Sequence, residues 1–188
     1  MDSTTDKALM MKVKNGDLDK LGLLFERYNR PLYSFFYRKT FEPQLSEDLV
    51  QSVFERMLKY RTTYSGSGAF TTWMFSIARN AHIDHFRKEK RRQEDEILDE
   101  ERIEGEAPDG YHELDERNRR KLLLEKALEQ LDDEKKEVVI LSRYEGLRYH
   151  EIAEIQGVSE SAVKVRMFRA MKELKQIVTT LSEAFSNE

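Results

Sequence analysis

Between Glu94 and Glu116 carboxylates crowd the chain. Glu94, Asp95, Glu96, Asp99, Glu100, Glu101, Glu104, Glu106, Asp109, Glu113, Asp115 and Glu116 face only Arg102, and Gly105, Pro108 and Gly110 interrupt the run. So much like charge with so little apolar surface cannot offset its ordering entropy by burial. The stretch therefore reads as a flexible acidic linker, residues 93–117. It separates an amino-terminal domain, 1–92, from a carboxy-terminal domain, 118–188. A chain of 188 residues is long enough for two small domains of this kind.

Helices are the only elements expected in either part. Hydrophobic residues make up 39% and charged residues 36%, a balance that suits small helical units with wide wet faces. Three prolines and eight glycines leave room for long helices. The chain has no cysteine, which removes disulfides and thiolate metal sites and fits a reducing cytosol. Met1-Asp2-Ser3-Thr4-Thr5-Asp6 lacks a basic and then apolar leader. No apolar run approaches the roughly 20 residues of a membrane helix. The expectation is an all-α, cytoplasmic protein without membrane insertion.

The net charge of -4 argues against a free-standing nucleic-acid binder only while charge is averaged over the chain. Arg79, Arg87, Lys88, Lys90, Arg91 and Arg92 form one basic block, and Lys164, Arg166, Arg169, Lys172 and Lys175 form another. The acidic linker lies between them.

Helix signals fill both domains. Asp6 is placed to cap a first helix to about Lys14, and Asp17 a second whose apolar stripe is Leu18, Leu21, Leu24, Phe25 and Tyr28. Pro31 kinks that helix or starts a new one. Ser46 is placed to cap a helix carrying Leu49, Val50, Val53, Phe54, Met57 and Leu58. After the polar loop from Thr62 to Gly68, another runs from about Phe70 to Arg92. The second domain predicts helices near 118–130, 133–144 and 149–156, and a last one from Glu160 past Lys175.

Tyr149 to Lys175 has the spacing of a helix-turn-helix. Ala153 is small where two helices cross, and Gly157 suits a turn that needs positive φ. Val163 supplies the apolar plug and Ser159 the cap of the second helix. In that helix Val163, Met167, Ala170, Met171 and Leu174 share one face. Ser161, Val165, Phe168, Arg169 and Lys172 share the opposite one, with Lys164 and Arg166 at its flanks. An ordinary helical hairpin with a solvated basic face is the plain alternative. A major-groove reader accounts for more of the pattern: Arg pairs with guanine edges, apolar groups meet thymine methyls, and Lys neutralises phosphate.

The first domain is less specific. Phe70, Trp73, Phe75 and Phe86, followed by Arg87, Lys88, Lys90, Arg91 and Arg92, fit either a core with a solvated basic end or a platform for unstacked bases. The spacing of Trp73 and Ile77 favours core. Glu47, Asp48, Gln51, Glu55 and Arg56 form a polar helix face that physics alone reads as solvated. No nucleophile–base pair appears. His82 and His85 lack a third ligand and read as exposed, so no catalytic residue, metal or cofactor is expected.

Three segments resemble the extracytoplasmic-function group of bacterial sigma factors, in that family's order and over nearly the whole chain. They are Glu47-Asp48-Leu49-Val50-Gln51-Ser52-Val53-Phe54, then Phe70 through Asn80 with Asp84 and Arg87. The third runs from Gly146 through Glu151-Ile152-Ala153, Gly157-Val158-Ser159, Val163 to Arg166 and Phe168-Arg169-Ala170 to Leu174. The resemblance implies a sigma-type helical bundle and a helix-turn-helix domain, and a non-enzymatic alternative sigma factor for promoter-specific initiation. It implies core RNA polymerase, through its β′ clamp, as a partner of Glu47, Asp48, Gln51 and Glu55. It implies minus-ten DNA and melting at Tyr64, Ser65, Phe70, Trp73, Asn80, Arg87 and Arg91. It implies minus-thirty-five DNA at Ser161, Lys164, Val165, Arg166, Phe168, Arg169 and Lys172, and an anti-sigma factor as a further partner. Asp132, Arg148 and Gln156 depart from the family's proline, Ser/Thr cap and apolar turn residue, so a weaker cap and looser packing are expected there. A stand-alone dimeric helix-turn-helix regulator and a helical adaptor that never meets DNA are the alternatives.

Overall fold

A computed structural model describes residues 5–96 and 116–184, with side chains described over 5–93 and 120–184. Residues 97–115 of the expected linker lie outside this range. Among the described residues every regular element is helical. The amino-terminal unit consists of α1 (Asp6–Lys14), α2 (Lys20–Thr40), α3 (Pro43–Lys59), a 3₁₀ turn at Arg61–Thr63 and α4 (Phe70–Glu96). The carboxy-terminal unit consists of α5 (Glu116–Glu129), α6 (Asp133–Val139) running into a π turn (Ile140–Tyr144), α7 (Tyr149–Gln156) and α8 (Glu160–Ala184).

Several helix ends differ from the sequence expectation for local reasons. Thr5 caps α1 by accepting the Ala8 N–H at 3.3 Å. Asp6 lies inside the first turn, where it accepts the Tyr28 hydroxyl at 2.6 Å and pairs with Arg27. α2 continues through Pro31 as one helix. It ends at Phe41, whose φ of 58° is left-handed and whose N–H donates to the Tyr37 carbonyl at 2.7 Å. α3 begins at Pro43, because a proline in the first turn gives up no helical hydrogen bond. Ser46 is therefore not the cap: it is buried and donates to the Glu42 carbonyl at 2.6 Å. The expected stripe on α2 is also narrower. Leu24 is fully buried, while Leu18 and Phe25 are exposed.

Leu32, Phe35 and Phe36 of α2 meet Val53 and Met57 of α3 and Met74, Phe75 and Ala78 of α4. Leu128, Val138, Ile140, Ile152, Val163, Met167, Ala170 and Leu174 fill the second unit. These buried residues form one contiguous cluster across both units, so the two halves pack on each other rather than standing apart. Charged and aromatic contacts join the seam. Lys39 of α2 reaches Glu137 of α6 at 2.8 Å, Arg79 of α4 reaches the same carboxylate at 3.0 Å, and the Arg38 guanidinium lies 4.0 Å from the Tyr144 ring centre.

His82 is buried at this seam, against the Phe86 ring, and is not the exposed histidine expected from sequence. Burial lowers its pKa to about 4; the Lys39 and His85 charges add to the depression, and Asp133 and Glu137 oppose it. The unfolded chain therefore takes up a proton below the ordinary value of 6.5 while the folded chain stays neutral. Stability from this group is complete above pH 6.5 and is lost progressively down to about pH 4. Glu145 works in the opposite sense, since burial raises its pKa to about 7 and Arg38 only partly offsets that. The His82 part is isolated by difference. Urea unfolding at pH 7, 6 and 5 should show His82→Gln losing less stability than the wild type on acidification, by at most about 2 kcal/mol over that range. Parallel pH profiles for the two proteins would contradict this assignment.

Candidate nucleic-acid interface

α7 and α8 form the helix-turn-helix. Gly157 ends α7 with φ 66°, and the following Val158 N–H closes back on the Ala153 carbonyl at 3.0 Å. Ser159 then caps α8 by accepting the Ala162 N–H at 3.2 Å. Ile152, Ala153 and Val163 are buried where the helices cross. With Val163, Met167, Ala170 and Leu174 turned inward, Ser161, Lys164, Val165, Phe168, Arg169 and Lys172 are exposed along one outer face. Phe168 is 72% exposed and Val165 47%. Two apolar side chains thus stand partly in water beside cations, a surface that a groove edge would cover.

Arg166 behaves differently. It turns inward to Glu134 at 2.8 Å and to the Gln156 side-chain oxygen at 2.9 Å, so it stands apart from the outer face. Two of the three departures from the family pattern carry side-chain bonds, contrary to the expectation of weakness, and Asp132 is the first, capping α6 through the Lys135 N–H at 2.9 Å. At Arg148 only the backbone N–H is used, donating to Glu151 at 2.8 Å, and the side chain makes no cap bond, as expected of a residue standing in for Ser or Thr. Gln156 is buried between Glu137 and Arg166, where a polar side chain is required.

On the other unit the aromatic residues assigned to melted DNA are largely core. Tyr64 is 1% exposed and Phe70 5%. Tyr64 packs 5.0 Å from the half-buried Trp73, and Tyr28 packs 5.3 Å from Phe70. Neither Tyr64 nor Phe70 offers a ring face to a base. Burial pushes the Tyr64 phenol pKa up, and its hydroxyl has no hydrogen-bond partner. The loop surface is instead Ser65, Ser67 and Gly68, with Asn80, Arg87 and Arg91 exposed along α4. α1 braces this loop from behind: Lys14 donates to the Tyr64 carbonyl at 2.6 Å, and Gly66 lies against Met11. Sequence reasoning missed that brace, because nothing within α1 marks it for a loop about fifty residues away.

Glu47, Asp48, Gln51 and Glu55 are all exposed on α3. Beside them is a groove of about 440 Å³, lined by Phe25, Asn29, Arg30 and Tyr33 of α2 and Glu47, Val50 and Gln51 of α3. The α2 wall was also missed. Phe25 reads as part of a core stripe in sequence, yet it is 44% exposed, with its ring 4.9 Å from Phe54.

A helical unit with a polar-rimmed groove and a basic helix is thus followed by a helix-turn-helix whose outer face is exposed and carries cations. Residues 24–92 match the Sigma-70 region 2 family and residues 121–174 match Sigma-70, region 4. The chain is 30% identical over 172 residues to the RNA polymerase sigma factor CarQ of Myxococcus xanthus, covering 92% of this chain and 97% of that one. It is 31% identical over 181 residues to the ECF RNA polymerase sigma factor SigF of Caulobacter vibrioides, covering 90% and 92%. In fold it is similar to CnrH in complex with the cytosolic domain of CnrY, with a TM-score of 0.70, 21% identity and coverage of 93% and 97%. The sigma factor RpoE of Bartonella quintana, in complex with the anti-sigma factor NepR, gives 0.68, 23%, 84% and 96%. The chain belongs to the extracytoplasmic-function family of bacterial RNA polymerase sigma factors. It is an alternative sigma factor that directs transcription initiation.

The brace gives a test of the loop. Gly66 has φ 72°, and an added Cβ would lie 3.3 Å from the Met11 sulfur. Gly66→Ala should cost about 1–2 kcal/mol from the left-handed backbone alone, measured by urea unfolding. Unchanged stability would show that the loop rearranges freely.

Proposed function

We propose that the three surfaces divide the work of promoter selection. Glu47, Asp48, Gln51 and Glu55, with the neighbouring groove, hold the β′ clamp of core RNA polymerase. The loop at Ser65, together with Asn80, Arg87 and Arg91, meets the minus-ten strand as it melts. Tyr64, Phe70 and Trp73 shape that surface from within. Ser161, Lys164, Val165, Phe168, Arg169 and Lys172 read the minus-thirty-five element, while Arg166 orients the reading helix from behind. Polymerase supplies the chemistry, and this chain contributes no catalytic group, metal or cofactor.

The observation that carries this reading is the outer face of α8, where Phe168 and Val165 stand exposed among cations on a helix fixed by a buried plug and a Ser cap. Solved relatives captured with CnrY and NepR support an anti-sigma partner for this chain as well. The proposed location is the cytoplasm, where core polymerase acts. Among the described residues no helix is long and apolar enough to cross a membrane.

Run-off transcription with core polymerase on a genomic promoter library tests the whole reading: promoter-specific transcripts should appear only when the protein is added. Asp48→Ala should weaken core binding and leave duplex binding by α8 unchanged. Phe168→Ala should cost up to about 1.5–3 kcal/mol at the minus-thirty-five element, the burial its ring loses, and leave core binding intact. Lys172→Ala should lower the salt slope of DNA binding by about one. Equal loss of both functions from Asp48→Ala and Phe168→Ala would defeat the division of labour.

A further inference from the structure

The loop assigned to the minus-ten strand has no aromatic face to offer, because the rings of Tyr64 and Phe70 are buried. It exposes Ser65 and Ser67 instead. Their hydroxyls are bonded to each other, and the Ser65 Oγ also accepts the Ser67 N–H at 3.1 Å. From Thr62 to Gly68 the chain carries no charged residue. Base selection here therefore falls largely to backbone groups, and one of them is held in a fixed direction.

Lys14, the last residue of α1, donates to the Tyr64 carbonyl at 2.6 Å from 50 residues away. α1 lies before residue 24, where the match to region 2 begins. It is a firm base for that bond. Leu9, Met10 and Val13 are buried, and Asp6 ties the start of the helix to Tyr28 and Arg27 of α2. The Tyr64 ring is anchored 5.0 Å from Trp73, and Gly66 is buried with Met11 behind it. The Tyr64–Ser65 peptide is trans, so its carbonyl and its N–H point in opposite directions. A carbonyl fixed toward α1 turns the Ser65 N–H away from α1, toward the exposed side of the loop. Among the described residues no backbone carbonyl accepts from that N–H.

We propose that Lys14 is a positioning residue for base selection: it fixes this peptide so that the Ser65 N–H donates to an acceptor atom on one unstacked base of the minus-ten strand. The proposal rests on the assignment of the loop to that strand. Without the Lys14 ammonium nothing on α1 holds the carbonyl, and rotation of the peptide plane replaces a donor with an acceptor. A base edge that matches one of these mismatches the other, so the orientation of a single peptide changes which base is preferred. Phosphate contact falls instead to the exposed cations of α4, Arg87 and Arg91.

Run-off transcription by core polymerase on promoters randomised through the minus-ten element gives the base preference at each position. Lys14→Met keeps the reach of the side chain and removes the donor. It should lower the preference at one position by about fivefold, as for one hydrogen bond, and leave the other positions as they are. Lys14→Arg retains a donor and should keep the preference. Ser65→Pro removes the N–H itself, and Tyr64 at φ -66° and ψ 113° already has the extended backbone that a following proline requires. It should lose the preference at the same position, and the double variant should lose no more there than either single change. Lys12→Met takes the same charge from an exposed position of α1 and should match the wild type. Urea unfolding shows which variants are folded, and Lys14→Met alone decides the matter where Ser65→Pro is not. An unchanged preference in folded Lys14→Met, or an equal loss at every minus-ten position, overturns the proposal. A wild-type protein that yields no promoter-specific transcript counts instead against the promoter-directing reading.

Discussion

A carboxylate taken out of water must be met by donors, and in this protein Glu137 is met from three directions. Apolar packing alone would leave the mutual rotation of α2, α4, α6 and α7 loosely specified, because hydrophobic contact is non-directional. The Lys39 ammonium, the Arg79 Nε–H and the Gln156 amide each demand a defined approach to one side chain. Removing one charged partner from such a cluster costs about 3–5 kcal/mol, mostly by stranding the other charges. The seam is thus specific without depending on great strength.

The same requirement divides each basic block between two tasks. Within α4, Arg79 turns to Glu137 while Arg87 and Arg91 remain exposed. Within α8, Arg166 turns to Glu134 and Gln156 while Arg169 and Lys172 face outward. Gln156 connects the two sets, since its amide nitrogen donates to Glu137 and its oxygen accepts from Arg166. α8 is thereby oriented by a chain of polar contacts that begins in the other unit. A net charge of -4 conceals this arrangement, because the cations that matter are counted together with those used internally.

Helix periodicity made most of the elements legible. It located α4, α7 and α8 and most of the inward faces of α3 and α8, because burial every three or four residues leaves a pattern in the sequence; Met171, expected on the inner face of α8, is exposed instead. It failed wherever the deciding partner lay far along the chain. Lys39 and Glu137 are 98 residues apart, and nothing within α2 or α6 distinguishes them from other surface charges. Tyr64 sits in a polar loop, so its neighbours disguise a side chain that Trp73 and Phe70 enclose. Gln156 looked like a defect because its position is judged against apolar turns, and its bonds run to another helix. For the candidate site, the face of α8 was readable from spacing. The α2 wall of the groove was not, since an exposed Phe25 and a buried one occupy the same kind of position in sequence.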